Sequence, residues 1–221
     1  MHTPIEENYL KALYHLSLEN GEVSVNDLSK HLGIKMPTVN SMMKKFLEKD
    51  LVVYESYKPL RLTELGKLTA VLIVRKHRLT EMYLVEKMGF AWHEVHEIAE
   101  QIEHIQSPLF FDKMDELLAY PKFDPHGSPI PTQLGEIPTN NYVKLSDCKL
   151  DNVVEFTGVR ASSEEFLKYL TAKNLQLGTI IKVVQKETFD GSMTLLFKES
   201  NLEIVVSQVV AEKLWVEKVK S

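Results

Sequence analysis

The stretch SVNDLSKHLGIKMPTVNSMMKKFLEKDLV, residues 24–52, decides the fold of the N-terminal part of the chain. Its pattern predicts a short helix over 25–32, a turn at Gly33, and a second helix over about 37–49 with a proline in its first turn. Residues 51–66 then predict two short strands joined by a turn near Lys58-Pro59. Helix, turn, helix and hairpin is the order of a winged helix-turn-helix, a DNA-binding motif.

In such a motif the second helix enters the major groove through its N-terminal residues, and the hairpin, or wing, passes the phosphates. The residues expected to contact bases or phosphates are Lys35, Pro37, Thr38, Asn40, Ser41 and Lys44 on the helix and Lys58 and Arg61 on the wing. The residues expected to face the core are Val39, Met42, Met43, Phe46 and Leu47. The alternative is an ordinary helical module with a solvated lysine face. Because acidic residues balance the lysines here, we expect a single copy to bind DNA weakly and a dimer to be needed.

The bulk composition excludes several classes of protein. The chain has 221 residues, 44% hydrophobic and 26% charged, which suits one large domain or two to three small ones. Its apolar runs are far shorter than the roughly 20 residues that span a bilayer, and the acidic N-terminus does not resemble a signal peptide. The single cysteine, Cys148, allows no intrachain disulfide, so we expect a cytoplasmic protein. The net charge of −5 argues against non-specific nucleic-acid binding but not against one local basic surface.

After the hairpin the sequence pattern changes twice, first to helical periodicity and then to a β pattern. Helical periodicity predicts three helices, over 64–88, 93–106 and 109–119. Residues 121–142 are rich in Pro, Gly and Asn and predict a linker or an irregular arm. From residue 143 onward the pattern is β, interrupted by one helix at 162–174, and Asp190-Gly191 is a hairpin signal. This part predicts a small β-rich domain of barrel or sandwich type.

The segment VHEIAEQIEH, residues 95–104, holds three glutamates and two histidines without a lysine or arginine. On a helix four of them fall within an arc of about 100° beside an apolar stripe: His96, Glu100, Glu103 and His104. Like charges at this spacing repel, and a bound cation would relieve the repulsion. Upstream, His77 and Glu81 are also one turn apart. The alternatives are a solvated face, and for Glu81 a salt bridge to Lys76 or Arg78.

These side chains offer only oxygen and nitrogen ligands. Such a set suits Mn(II), Fe(II), Zn(II), Co(II) or Ni(II) and disfavours copper(I). The HExxH motif of zinc peptidases and the Glu-x-x-His pair of di-iron bundles are missing from the sequence, as are a CxxC motif and a glycine-rich phosphate loop. We therefore expect no enzyme and no organic cofactor. Two alternatives stay open: a metalloenzyme or metal-buffering protein that uses the same cluster, and a winged-helix regulator of an organic ligand.

The segment RKHRLTEMYLVEKMGFAWHEVHEIAEQIEH, residues 75–104, resembles the signature of the diphtheria-toxin-repressor family of metal-dependent regulators, and the resemblance covers the whole chain. It implies a mostly α fold with β. The three domains would be a winged helix-turn-helix at 1–63, a helical metal-binding and dimerisation domain with a Pro-rich arm at 64–142, and an SH3-like (FeoA-like) small β-barrel at 143–221. The implied function is a Mn(II)- or Fe(II)-dependent repressor of metal-uptake genes that binds palindromic operator DNA as a metal-activated homodimer.

The resemblance also implies metal ligands. The primary site would use Asn8, Glu100, Glu103 and His104, and a second site would use His77, Glu81 and His96. Some members recruit two arm residues instead, here Asp124 and His126, and a ligand from the third domain, here Glu164 or Glu165. The alternatives are a turn-forming role for Asp124 and, for Glu165, a capping box with Ser162.

Three positions bear on which metal binds. Iron-type members carry Cys where this chain has Glu100, which favours manganese, or iron held through harder ligands. The first-helix ligand is usually Met or Asp, whereas this chain has Asn8, with Glu7 adjacent as a substitute. Lys11 stands where the binuclear manganese branch has Glu, so the paired-metal geometry of that branch is not expected.

The resulting hypothesis couples metal to DNA. Without metal, Glu100 and Glu103 would repel each other and the first helix would be loosely held. Metal would neutralise the pair and tie Asn8, and with it the DNA-binding domain, to the dimerisation domain. By linkage, operator DNA would tighten metal binding by the same factor.

Overall fold

The structure is a computed structural model that describes residues 2–55, 58–160 and 163–219. The chain divides into two compact units. The first comprises Met1–Thr80, Ala99–Asp115 and Pro131–Ile137, and the second Glu81–Ile98, Glu116–Ile130 and Pro138–Ser221. Among the described residues, no helix combines the length and apolarity needed to cross a membrane.

The N-terminal part of the first unit is a winged helix-turn-helix. Its elements are α1 (Pro4–Asn20), α2 (Val25–Leu32), α3 (Met36–Glu48), β1 (Val52–Val53) and β2 (Arg61–Leu62). Ser24 and Asp27 form a capping box at the start of α2, and Gly33 ends it with a left-handed φ of 65°. The strands β1 and β2 are antiparallel, and the tip residues 56 and 57 lie outside the described part of the chain.

One core joins α1 to the recognition helix α3. Leu10 and Leu13 of α1 and Met43 and Phe46 of α3 are fully buried members of the same apolar cluster. The prediction that Leu47 also faces the core is wrong, because its exposed fraction is 48%. At about 100° per residue the buried positions of α3 form a narrow arc, and Leu47 falls about 40° beyond Met43, past its edge.

Three more helices follow: α4 (Glu64–Met88), α5 (His96–Ile102) and α6 (Pro108–Leu117). The helix predicted over 93–106 is too long at both ends. Before α5, the Glu94 carboxylate accepts a hydrogen bond from the backbone N–H of Ala91 and closes a turn. After α5, the N–H of Ile105 bonds to the carbonyl of Ile102, a tight turn that leaves the helix before Pro108. His104 therefore lies beyond the helix end.

The second unit contains a six-stranded antiparallel sheet of order β3-β8-β4-β5-β6-β7. Its elements are β3 (Val143–Lys144), β4 (Val153–Val159), α7 (Glu164–Ala172), β5 (Ile180–Lys186), β6 (Met193–Phe197), β7 (Glu203–Val206), α8 (Gln208–Ala211) and β8 (Leu214–Lys218). The Asp190-Gly191 hairpin joins β5 to β6 as predicted. Bulges in β4 and β5 bend the sheet around a core that includes Phe156, Leu170 and Leu195. The predicted fold class is confirmed.

The Pro-rich arm contacts β4 within the second unit. Gly127 has a φ of 84°, and a Cβ atom there would lie 2.0 Å from the carbonyl oxygen of Thr157. Only glycine combines this backbone conformation with so close an approach. The close approach holds the arm residues that precede Gly127 near the sheet.

Candidate metal centres

A cluster of six ionisable side chains lies where α1 meets the C-terminal end of α5 in the first unit. We call it the α1–α5 cluster; its members are Glu7, Lys11, His77, Glu100, Glu103 and His104. The possible ligand atoms of His77, Glu100 and Glu103 all lie within 4.8 Å of one another. Glu103 is fully buried, although it belongs to the residue types that are almost never fully buried unless paired.

Short hydrogen bonds connect the cluster across the sequence. The Nδ1 atom of His77 is 2.6 Å from a carboxylate oxygen of Glu103, and Nδ1 of His104 is 2.6 Å from a carboxylate oxygen of Glu7. Gln106 donates to the other oxygen of Glu7 at 2.8 Å. Glu7, which the sequence suggested as a substitute for Asn8, is therefore in direct contact with a predicted ligand.

Lys11 is a basic partner of Glu100 and Glu103, which corrects the expectation that these two glutamates repel each other without metal. Its Nζ atom is 2.5 Å from Glu100 Oε1 and 2.7 and 2.9 Å from the two oxygens of Glu103. The repulsion between the two carboxylates is thus relieved by an ammonium group from α1 rather than left open. The hypothesis that α1 is loosely held without metal does not fit these contacts.

Asn8 supplies a test of whether a metal ion fits here. Its side-chain oxygen is buried and is without a hydrogen-bond partner among the described residues. An orphaned amide oxygen is costly to bury, and a metal ion is one way to satisfy it. Glu7, the neighbour of Asn8 on α1, belongs to the α1–α5 cluster, whose carboxylates and imidazoles form a donor set that suits Mn(II) or Fe(II). The residues fit a divalent cation.

A second cluster lies within the second unit. We call it the arm cluster; its members are Glu81, His96, Asp124 and His126. Glu81 lies between the two imidazoles, with one oxygen 3.3 Å from Nδ1 of His96 and the other 3.5 Å from Nδ1 of His126. The possible ligand atoms of Glu81, Asp124 and His126 lie within 4.8 Å of one another, and all three residues are buried. His77, the other predicted ligand of the second site, is described above with the first unit.

The hydrogen bonds of His126 fit either a proton or a metal ion between this residue and Glu81. Its Nε2 atom is 2.7 Å from the carbonyl oxygen of Trp92, which can only accept, so Nε2 carries the proton. In the neutral ring the lone pair of Nδ1 then faces a carboxylate oxygen of Glu81. Two electron-rich atoms in this position repel each other unless a proton or a metal ion lies between them. Ligands about 2.1 Å from one ion, at angles of about 90–110°, lie about 3.0–3.5 Å apart. The observed 3.5 Å falls in that range.

A proton is the competing occupant at this position. Burial by itself lowers the pKa of His126, but the hydrogen bond and charge of Glu81, together with Asp124 and the Trp92 carbonyl, raise it overall. The same negative charges that favour the imidazolium favour a divalent cation.

Asp124 has two roles in the structure. Its Oδ1 atom accepts hydrogen bonds from the backbone N–H groups of His126 and Ser128, so it forms the turn considered as the alternative. The turn also orients its carboxylate toward Glu81 and His126. The two interpretations are therefore compatible.

The two candidate ligands of the third domain differ in whether they line a cavity near His96. Glu164 lines a cavity of about 500 Å³ together with His93, His96 and Glu97, and its carboxylate is 2.5 Å from Lys168 Nζ. Glu165 is exposed and is not among the residues that line this cavity. Ser162, its predicted capping partner, lies outside the described residues. The participation of Glu164 or Glu165 in a metal site stays a prediction.

The predicted DNA-contacting residues lie mostly on the surface of the first unit. The exposed ones on and before α3 are Lys35, Pro37, Thr38, Ser41 and Lys44. Asn40 is half-buried, and its side-chain oxygen accepts a hydrogen bond from the hydroxyl of Tyr54. On the wing, Lys58 pairs with Glu55 at 2.6 Å and Arg61 lies 3.5 Å from Glu22. Exposed ion pairs of this kind are weak and can exchange for phosphates.

Sequence reasoning missed three contacts of the candidate sites. Lys11 was noted only as a departure from a pattern, and the Trp92 carbonyl and Gln106 were not considered. The one available signal was that Glu7 and Lys11 are one helical turn apart, so they share a face of α1. A single sequence gives no signal for the Trp92 carbonyl contact, because every residue has a backbone carbonyl.

Comparison with known proteins identifies related chains. Residues 1–60 match the model described as iron dependent repressor, N-terminal DNA binding domain; 63–132 match iron dependent repressor, metal binding and dimerisation domain; and 143–218 match the FeoA domain. A diphtheria toxin repressor of Corynebacterium jeikeium is 30% identical over 183 residues, 81% of this chain and 76% of the relative.

Solved structures agree. A manganese-dependent transcriptional repressor in complex with manganese has 27% identity and a TM-score of 0.85, with 97% of this chain and 100% of that chain covered. ScaR with bound Zn²⁺ has 32% identity and a TM-score of 0.76, with 97% and 99% covered. The winged helix, the two carboxylate–imidazole clusters and these matches agree with the resemblance read from the sequence, and the chain belongs to the diphtheria-toxin-repressor family of metal-dependent transcriptional repressors.

Proposed function

We propose that this chain is a repressor of metal-uptake genes that Mn(II) or Fe(II) activates and that binds palindromic operator DNA as a homodimer. The observation that carries the proposal is the double role of α1. Its apolar face shares a core with the recognition helix α3, and its polar face reaches the carboxylates and imidazole at the end of α5. A change at the α1–α5 cluster therefore acts on an element packed against the DNA-reading helix.

The donor set supports manganese or iron. A divalent cation bound in the α1–α5 cluster would supply two positive charges to carboxylates that are otherwise held by one ammonium group. Glu103, His104 and Asn8 are the residues we expect to hold it, and Glu100 adds a hard oxygen ligand. Zn(II), Co(II) and Ni(II) suit the same donors and are expected to act as surrogates.

We propose the division into domains 1–63, 64–142 and 143–221, which the bounds of the three matching family models support. We also propose that the protein works in the cytoplasm, where its operator DNA lies, and that it has no catalytic activity. A family of DNA-binding repressors supports a binding function rather than the metalloenzyme considered from the sequence.

The test is metal-dependent binding to DNA. Sequences are selected from a pool of random duplexes with the full chain and Mn²⁺, and the best duplex is labelled for fluorescence anisotropy under anaerobic conditions. We expect Mn²⁺ or Fe²⁺ to increase affinity for this duplex at least tenfold, whereas Mg²⁺, a harder cation that does not favour imidazole, should not. Equal affinity with and without every metal would refute the proposal.

A matched pair of variants tests the primary site. Glu103→Ala removes a buried carboxylate of the α1–α5 cluster, whereas Glu94→Ala removes an exposed one just before α5. We expect only Glu103→Ala to abolish the response to Mn²⁺ while the circular dichroism spectrum stays native. A full response in Glu103→Ala would show that the primary site is wrongly assigned.

A further inference from the structure

The Lys11 side chain uses all its hydrogen-bonding capacity on carboxylates that are predicted to hold metal. An ammonium group has three N–H donors, and the three short contacts of Nζ go to Glu100 Oε1 and to both oxygens of Glu103. The Lys11 side chain is only 12% exposed, and that of Glu103 is fully buried. The ammonium group is thus held by three oxygens of two carboxylates, one of them fully buried and the other about one third exposed.

A metal ion bound to Glu103 would share oxygens that already accept hydrogen bonds from Lys11. The Oε1 atom of Glu103 accepts a hydrogen bond from Lys11 and lies 3.8 Å from Nε2 of His104, and its Oε2 atom contacts both Lys11 and His77. An ammonium group and a dication that share these oxygens would repel each other strongly, because the surroundings are poorly solvated. We therefore expect Lys11 to withdraw when metal binds.

We propose that Lys11 is an internal cation that offsets part of the negative charge of the α1–α5 cluster in the metal-free chain, competes with the metal for Glu100 and Glu103, and so sets the metal concentration at which the repressor responds. This inference rests on the proposed function and concerns a residue that is not itself a ligand. It also gives Lys11 a second effect: in the metal-free chain the lysine keeps α1 attached to the end of α5. When metal binds, the metal ligands would hold α1 to the end of α5 in place of Lys11.

The first test measures metal binding directly, without DNA. Isothermal titration calorimetry with Mn²⁺ is done in a His126→Ala background, which disables the arm cluster, and compares that chain with its Lys11→Met derivative. We expect Lys11→Met to bind Mn²⁺ at least tenfold more tightly at the α1–α5 cluster. Lys49→Met is the matched control, because Lys49 Nζ also lies 2.6 Å from a buried glutamate, Glu6, but outside the cluster. Its Mn²⁺ affinity should not change.

The second test uses the unaltered chain, so it does not depend on the folding of a variant. Lysines are acetylated with acetic anhydride, with and without saturating Mn²⁺, and the modification of each is measured by mass spectrometry. We expect Mn²⁺ to raise the reactivity of Lys11 at least fivefold and to leave that of Lys49 unchanged.

Three outcomes are informative. Equal or weaker Mn²⁺ binding in Lys11→Met would overturn the inference and make Lys11 a structural support. The inference would also be overturned if Lys11 stayed protected from acetylation in the chain saturated with Mn²⁺. If the unaltered chain and the variants all bind no divalent cation, the proposed function fails instead, and the two failures are thereby distinguished.

Discussion

Replacing Glu6 by glutamine is expected to lower the free energy of unfolding, because this side chain is a buried charge shared by two helices. Glu6 is 1% exposed, and its Oε1 atom lies 2.6 Å from Lys49 Nζ and 2.9 Å from Lys45 Nζ. Its other oxygen accepts a hydrogen bond from the backbone N–H of Thr3 in the capping box of α1. Glutamine keeps the shape of the side chain but loses the charge.

The magnitude follows from the pKa of the carboxyl group. Burial by itself raises the pKa of Glu6, but hydrogen bonds from Lys49, from the Thr3 backbone and from Lys45 lower it from 4.5 to about 2. A difference of about 2.5 units corresponds to about 3.4 kcal/mol of stability. The two lysines are 51% and 36% exposed. Solvent screening therefore reduces the expected loss to about 1–2 kcal/mol.

The pH dependence gives the sharper test. The pKa of Glu6 is lower in the folded chain, so its contribution is complete above the unfolded value of 4.5 and disappears as the pH falls through about 2. Urea unfolding of the unaltered chain and of Glu6→Gln should therefore differ at pH 7, differ by less than half as much at pH 3, and converge near pH 2. Glu19→Gln, an exposed change on the same helix, should shift stability by less than about 0.5 kcal/mol. A Glu6→Gln chain as stable as the original at pH 7, or a difference that does not change with pH, would refute the reasoning.

Three further changes test the interface and the second unit. Lys44→Ala removes an exposed charge of α3 and should reduce the magnitude of the slope of log affinity for DNA against log salt by about 0.9; an unchanged slope would place Lys44 away from the phosphates. Gly127→Ala and Gly178→Ala both strain a left-handed backbone, but only Gly127→Ala brings Cβ within 2.0 Å of a backbone oxygen. Gly127→Ala should therefore lower the free energy of unfolding, measured in guanidinium, by at least about 1 kcal/mol more than Gly178→Ala. Equal losses would contradict the close approach of arm and sheet. Leu170→Ala leaves a cavity at a fully buried position and should cost about 2–5 kcal/mol, measured by urea unfolding; a cost below about 1 kcal/mol would mean that the core repacks around it.

Local signals in the sequence predicted most elements of the fold. The helix over 25–32 has its predicted bounds because a capping box and a left-handed glycine fix both ends. The helix over 64–88 was also predicted with its observed bounds, because its periodicity is long and uninterrupted. Where the ends depend on other parts of the structure, prediction failed. The helix predicted over 93–106 is only His96–Ile102 because turns that periodicity does not show enclose it.

The polar contacts of the candidate sites were less predictable. Projection on one helix placed His96, Glu100 and Glu103 on a common face, but His96 contacts Glu81 whereas Glu103 contacts Lys11 and His77. Lys11 is 92 residues from Glu103 in the chain, so no local pattern could pair them. A single sequence lists the charged groups of a site, whereas the fold decides which of them meet.

The structure also changes the expected basis of regulation. If Glu100 and Glu103 simply repelled each other without metal, metal binding would create the link between α1 and α5. Because Lys11 already pairs with both carboxylates, a link between α1 and the end of α5 exists before metal arrives. We therefore expect metal to replace this link by another and to shift this turn of α1, rather than to create the first attachment. Glu6, one residue before Glu7, connects the same turn of α1 to Lys45 of the recognition helix and to Lys49, the residue that follows this helix. A packed core has discrete arrangements and does not deform continuously. A small shift of this turn is therefore expected to move α3 between two positions, and operator DNA that prefers one of them must tighten metal binding by the factor that metal tightens DNA binding.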